Sequence, residues 1–282
     1  MRLSRFERGT EFCDRAMPFL MRREAEHNLM LGIAGSIAAG TEWQDPVPYM
    51  AVVEDEGEPV LVALMTPPHN LLLSYTERPE AVALVASDLL EGQWTPPGVT
   101  GPVSVAEEFA TLWKERTGRG HTVAMAQGIY KLERVCWPKA VPGHLRRATD
   151  ADRSLLRDWF TGFFLEATGD AGDPDVSLDR FMTTPTRGLY VWDDGEPASM
   201  AGCAGPTPHG IRIGAVYTPP EKRRHGYASA CVAALSQLML DSGRQFCFLY
   251  TDLANPTSNH IYQEIGYEPV AESVELRFER GS

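Results

Sequence analysis

The feature that most constrains this chain is a pattern it carries twice. Residues 50–76 read MAVVEDEGEPVLVALMTPPHNLLLSYT, and residues 189–218 read LYVWDDGEPASMAGCAGPTPHGIRIGAVYT. Each copy has an apolar strand, an acidic turn ending in Gly-Glu-Pro (57–59 and 195–197), a second strand, a Pro-His turn (68–69 and 208–209), and a third strand closing on Tyr-Thr. The offset between copies grows only from 138 to 142 residues, so small insertions separate them. Solenoid repeats recur at much shorter periods, and this spacing therefore predicts two related domains. At 282 residues the chain has room for both, each with its own core.

The boundary is expected in CWPKAVPGH, residues 136–144, where two prolines and a glycine follow a strand-like segment. This gives an expected first domain of 1–138 and a second of 143–282. In the second, Leu145 to Ala148 read as a short strand and Thr149 or Asp150 as a helix cap. Leu155, Leu156, Trp159, Phe160, Phe163 and Phe164 follow at helical spacing. Strands are predicted at 188–193, 197–204, 210–217, 245–251 and 270–278, with helices at 226–241 and 256–264. Cys231, Val232, Leu235, Leu238 and Met239 form one apolar stripe on the first of those helices, and Gly243 supplies its stop. The fold class is mixed α/β (α+β).

Charge and cysteine usage narrow the partners. Asp and Glu outnumber Lys and Arg by 38 to 26, which disfavours nucleic acid and mildly favours a cationic small molecule. No apolar run is long enough to cross a bilayer, and charges interrupt every apolar cluster of MRLSRFERGTEFCDRAMPFLM, so a soluble, cytoplasmic protein with no membrane partner is expected. The five cysteines (Cys13, Cys136, Cys203, Cys231 and Cys247) are scattered without a C-x-x-C pair, which predicts reduced thiols and no metal.

Against the acidic background, PPEKRRHGYASA at 219–230 gathers Lys222, Arg223, Arg224 and His225 before one glycine and a helix. Unpaired amides and the positive end of the helix dipole converge at such a start and attract anions. Gly226 lets a ligand approach the backbone, Ala228 keeps the next turn small, and the arginines add charge-assisted donors.

The pattern R-x-x-G-x-A at Arg223, Gly226 and Ala228, preceded by V-Y-T-P-P-E from Val216 to Glu221, resembles the acetyl-coenzyme A signature of the GCN5-related N-acetyltransferase (GNAT) family. NPTSNHIYQEIGY, from Asn255 to Tyr267, is similar to that family's second motif. The resemblance spans about residues 143–280. It implies two tandem GNAT-like domains, each a mostly antiparallel central sheet flanked by helices. It also implies acetyl-coenzyme A as acyl donor, with backbone groups of Val216 and Thr218 pairing with the pantetheine arm. The Val216 amide would polarise the thioester, and amides from Arg224 through His225, Gly226, Tyr227, Ala228 and Ser229 would wrap the diphosphate, Arg223 leading the loop. Where the commonest family form has an aromatic, a glycine and a basic residue, this chain has Lys222, Arg224 and His225. Tyr262 is the expected general acid. Asn255 is expected to cap its helix, to contact the coenzyme, or both, and Asn259 is a further candidate contact. For the general base the candidates are Glu166, His209, Asp252 or a water, and the acceptor loop is placed at 160–175.

After Tyr75 and Thr76 the first copy runs ERPEAVALVASDLLEG, with proline and glutamates where the phosphate loop stands in the second. Carboxylates there repel a diphosphate, so the first half is expected to be a degenerate copy. The whole then implies an N-acetyltransferase acting on a primary amine of a small molecule or peptide by direct attack, as monomer or homodimer. A non-catalytic acetyl-coenzyme A sensor is the alternative.

Overall fold

The computed structural model describes residues 1–40, 46–169 and 172–279. One order of elements, β-α-α-β-β-β-α-β-α-β, occurs twice along the chain. The first run is β1 (Arg2–Arg5), α1 (Gly9–Leu20), α2 (Asn28–Ala38), β2 (Tyr49–Asp55), β3 (Glu58–Met65), β4 (Leu71–Leu73), α3 (Pro79–Glu91), β5 (Gly98–Pro102), α4 (Val103–Thr117) and β6 (His121–Leu132). The second is β7 (His144–Arg147), α5 (Arg153–Thr168), α6 (Pro174–Thr183), β8 (Gly188–Asp193), β9 (Pro197–Ala204), β10 (Gly210–Tyr217), α7 (Tyr227–Asp241), β11 (Phe246–Asp252), α8 (Pro256–Ile265) and β12 (Glu268–Phe278). The predicted mixed α/β class and the repeated strands are thus found, with boundaries within two residues.

The chain divides into two compact units: Met1–Ile129 with Asp252–Ala254 and Val270–Ser282, and Tyr130–Thr251 with Asn255–Pro269. An expected split at 138 and 143 assigns the last strand to the second half. Its pairing belongs to the first: β12 runs antiparallel to β5, from Ser273 opposite Pro102 to Arg277 opposite Gly98. Val274, Leu276 and Phe278 fill the same core as Phe109 and Trp113 of α4.

In the first unit the strand order is β1-β2-β3-β4-β5-β12, antiparallel except for the parallel pair β4–β5. Alternate residues of β2 and β3 feed two cores. Met50, Val52, Val62 and Leu64 pack under α1 and α2, and Ala51, Val53, Leu61 and Ala63 pack under α3 and α4. Burial on both faces is why these strands read as continuous apolar runs. The two-residue turn between them, Glu56 and Gly57, takes positive φ at both positions, as a tight hairpin requires.

The second unit follows the same plan, in the order β11-β10-β9-β8-β7 with β10–β11 as the parallel pair. Leu189, Val191 and Met200 face Leu156, Trp159 and Phe160 of α5, whereas Ala201, Ile211 and Ile213 face α7. Arg146 of β7 anchors the start of the α5 region through both oxygens of Asp152, at 2.8 Å each, and through Asp193 at 2.7 Å. The guanidinium holds the Asp152 carboxyl down at about 2. Two residues of the predicted apolar stripes are exposed, Leu155 at 37% and Leu238 at 40%, because the buried arc of α7 runs instead through Ala230, Ala233 and Ser236. All five cysteines are free thiols, with Cys203, Cys231 and Cys247 buried. Among the described residues, no helix is long and apolar enough to cross a membrane.

Candidate active site

β10 changes character along its length. Gly210, Ile211 and Arg212 pair with β11, but no β11 partner follows Arg212. On its other edge β10 stays with β9, and there the register slips between Gly214 and Tyr217, with Ala215 at a φ of 48°. Such a bulge turns backbone groups out of the ladder. Among the described residues, the edge of β10 that faces away from β9 has no strand partner from Ile213 onward, Val216 included. Val216's side chain packs on the α7 core together with Tyr227 and Tyr262. Thr218 is more committed, its hydroxyl 2.8 Å from that of Ser199 and its carbonyl accepting from Arg223 Nε at 2.8 Å.

The loop into α7 follows directly. Pro220–Lys222 form one 3-10 turn, Arg224 and Gly226 take left-handed φ values of 64° and 84°, and α7 begins at Tyr227 with no side-chain cap. The first helical bond is Ala230 N–H to the Gly226 carbonyl. With no side-chain cap, the first-turn N–H groups of Tyr227, Ala228 and Ser229 have no intrahelical acceptor. Such an uncapped helix start suits an anion. A side chain at 226 would bring its first carbon within 2.9 Å of Val141, so the left-handed turn and the tight approach both ask for glycine.

The cationic side chains around this loop are mostly spoken for. Arg223 turns back on the loop: besides the Thr218 carbonyl it holds Glu166 Oε1 at 2.6 Å, and its guanidinium lies 5.7 Å over the Tyr217 ring. Lys222 pairs with Glu196, and the Tyr227 hydroxyl donates to Asp194 at 2.7 Å. His225 Nδ1 is 3.3 Å from the Lys222 carbonyl, and its ring stacks on Tyr227. Arg224 is exposed and makes no ion pair among the described residues. Sequence reasoning missed Asp194 and Glu196. The signal was present, since the acidic turn of the repeat is the charge complement of the cationic loop.

Tyr262 lies half-buried on α8, edge-on to Tyr267 with ring centroids 6.0 Å apart. Burial pushes its phenol up to about 12, and its hydroxyl has no partner among the described residues. Asn255 caps α8 by accepting from Ser258 N–H at 3.1 Å. Asn259 sits one turn on, with its own N–H bonded to the Asn255 carbonyl at 3.2 Å.

Of the candidate bases, Glu166 is the one that reaches the loop, through Arg223. His209 is exposed at the start of β10, roughly 20 Å or more from its Tyr217 end at about 3.3 Å per residue. Asp252 closes its own turn by accepting from Ala254 N–H at 2.8 Å. Asp170 and Ala171 of the predicted acceptor loop lie outside the described residues. In the remainder, α5 and α6 bring Phe160, Phe164 and Phe181 together, and Gly162 leaves the space that the Tyr217 hydroxyl takes. Among the described residues, no three His, Cys, Asp or Glu side chains gather as metal ligands.

A parallel strand pair that parts beside a bulge and feeds an uncapped, glycine-led helix start can take an extended ligand that ends in an anion. Residues 153–267 match the family model of the Acetyltransferase (GNAT) family. Solved structures extend the likeness to the whole chain. A GCN5-related N-acetyltransferase from Sphaerobacter thermophilus aligns over 99% of this chain and 96% of its own, with a TM-score of 0.63 and 14% identity. A tandem GNAT protein from the clavulanic acid biosynthesis pathway aligns over 100% and 99%, at 0.56 and 13%. A GCN5-related N-acetyltransferase from Kribbella flavida covers 78% of this chain and 87% of its own, at 0.55 and 18%. At these identities the structural likeness is one of fold. No curated protein sequence matches the chain. Residues 153–267 thus carry the match to the GNAT acetyltransferase family, and the solved GNAT structures share the fold along the whole chain.

Proposed function

We propose that the second unit transfers an acetyl group from acetyl-coenzyme A to a primary amine of a small molecule or peptide, by direct attack in a ternary complex. The observation that carries this reading is the uncapped, glycine-led run of first-turn amides from Tyr227 to Ser229, one short loop beyond a strand end whose free edge has no partner among the described residues. A diphosphate suits that run, because the glycine at 226 keeps the cradle open and the helix dipole favours negative charge. An extended pantetheine arm suits the free edge of β10, as an added strand would.

When bound, the coenzyme supplies a thioester whose carbonyl is attacked and whose sulfur departs. The chain's residues do the rest. The Val216 amide would donate to the carbonyl oxygen as negative charge develops on it. Tyr262, with its phenol pushed up to about 12, stays protonated at neutral pH. That shift weakens it as an acid against a thiol of about 8.5, so its part is to donate a strong hydrogen bond to the departing sulfur while the amine's own proton neutralises it. Asn255 sets the start of α8 and with it the placement of Tyr262. Glu166 or solvent takes the amine's proton before attack. The reading carries with it a cytoplasmic location and a first unit that is a degenerate copy, kept for packing.

The experiment is thiol release from acetyl-coenzyme A across a panel of primary amines, with calorimetry of coenzyme A binding. One coenzyme per chain and amine-dependent thiol release are expected. Binding without release for any amine would leave a sensor, and no heat of binding at about 1 mM coenzyme would remove the reading.

A further inference from the structure

The first unit contains a cavity of about 310 Å³ that the acetyl-transfer chemistry does not use. It lies among the last turn of α1 with the 3-10 turn Met21–Arg23 that follows, the start of β3, and the link from β4 to α3. Its volume is at the lower end of the range for small-molecule pockets. By the internal repeat, Tyr75 and Thr76 in its wall are the counterparts of Tyr217 and Thr218.

The wall is flat and fixed. Tyr75 N–H donates to His27 Nε2 at 3.1 Å, which leaves Nδ1 to carry the proton and donate it to the Leu20 carbonyl at 3.0 Å. Both ring nitrogens are thereby satisfied, and the imidazole is a neutral, locked plane stacked on Phe19. The Arg23 guanidinium lies 3.9 Å over the Tyr75 ring. Val60 and Pro59 supply an apolar side.

The lining is rich in guanidinium donors. Arg23, Arg22 and Arg78 each hold one carboxylate, Glu26 at 3.1 Å, Glu58 at 3.5 Å and Asp55 at 3.3 Å. A guanidinium has five N–H donors, so each keeps several unspent, and all three side chains are about half exposed. Glu77, which accepts from the Tyr75 hydroxyl at 2.8 Å, puts one negative charge in the wall and opposes a doubly charged ligand. The lining thus combines forked donors suited to a planar anion, aromatic planes, and a bias toward single charge.

From this we infer that the first unit binds a small aromatic carboxylate in this cavity, with Arg23 and Arg78 as donors to the carboxylate and the Phe19, His27 and Tyr75 planes against its ring. The inference does not depend on acetyl transfer in the second unit. Hydrocinnamate titrated into the full-length chain, followed by ligand-observed NMR and calorimetry, tests it. Saturable binding with a Kd of about 1 mM or tighter is expected. The neutral amide of the same acid and the dianion phenyl phosphate should each bind about tenfold more weakly or worse. Arg23→Gln and Arg78→Gln should each weaken the acid about tenfold, with coenzyme A affinity unchanged. Val60→Trp, which fills the cavity without touching a charge, should abolish binding at an unchanged melting temperature, so the test survives if an arginine variant unfolds. Equal binding of acid and amide, no saturation by about 20 mM, or full binding to Val60→Trp would each overturn it.

Discussion

Two corners of this protein begin from the same plan and end with opposite electrostatics. In the second unit, residues 218–226 lead from β10 to α7 through two left-handed positions into a helix start with no side-chain cap. In the first, residues 74–78 lead from β4 to α3. There Arg78 N–H is taken by the Thr76 hydroxyl at 3.1 Å, Pro79 has no N–H to offer, and Glu80 puts a carboxylate in the first turn. The strands differ in the same sense, since β4 stops at Leu73 whereas β10 continues to Tyr217 through a bulge. The order of elements is shared, so the capacity to hold an anion is set by the link: its length, its positive-φ positions and the residue types in the first turn.

The largest effect expected on this comparison comes from the far end of the chain. Removing residues 270–282 takes Val274, Leu276 and Phe278 out of the first core, at about 1.5–3 kcal/mol for each buried side chain. The first unit should then lose its cooperative unfolding transition, and amide exchange in β2 and β3 should accelerate. A fragment of residues 1–138 that melts sharply by itself would break the assignment of β12 to that unit.

Next in size is Tyr262→Phe. Losing a hydrogen bond to developing negative charge costs about 2 kcal/mol, so kcat should fall about thirtyfold with coenzyme A affinity unchanged. Because the phenol stays protonated up to about 12, it imposes no alkaline fall on the rate. The wild-type rate should instead rise with pH as the amine, with a pKa of about 10, loses its proton. A rate loss between about pH 8 and 10 with a stable protein would exclude Tyr262 from this role.

Gly226→Val acts on the corner itself. A branched side chain at a φ of 84°, aimed at Val141, costs about 2 kcal/mol and displaces the amides on either side. Coenzyme A binding should weaken about tenfold or more, read by calorimetry. The matching change in the first unit, Glu80→Gly, should leave both affinity and stoichiometry as they were. A second equivalent of coenzyme bound by wild type or by Glu80→Gly would show that the first corner is not closed to diphosphates.

Much of this was legible in the sequence, for identifiable reasons. The strands of both copies read as unbroken apolar runs because both of their faces are covered, and Gly226 stood out because four basic residues lead into it at a predicted helix start, with a second motif from Asn255 to Tyr267 downstream. What stayed hidden was side-chain pairing between distant residues. Arg223 with Glu166 and Tyr227 with Asp194 depend on how α5 and the β8–β9 turn come to the loop, which no local pattern encodes. The same holds for β12. Its alternation predicts a strand but not that β5 is its partner, and Leu238 was misplaced because helical spacing alone does not fix which arc of α7 meets the sheet.

The finest distinction concerns Arg224, where the sequence departs from the family's usual glycine. The residue nevertheless takes the left-handed turn, at a φ of 64°. An L side chain there costs about 1–2 kcal/mol, and replacing it by glycine recovers that strain while adding about 0.5–1 kcal/mol of freedom to the unfolded chain. Arg224→Gly should therefore be neutral to slightly stabilising, by up to about 1 kcal/mol, or about 2–4 °C in Tm. The lost charge is exposed and makes no ion pair among the described residues, so its contribution to coenzyme A binding is long-range, and the loss of affinity should be small and should shrink as salt is raised. Arg224→Lys keeps both charge and strain and serves as the control. If Arg224→Gly lowers Tm, the side chain contributes a contact worth more than the strain it bears, and if it weakens coenzyme binding equally at low and high salt, Arg224 touches the diphosphate directly.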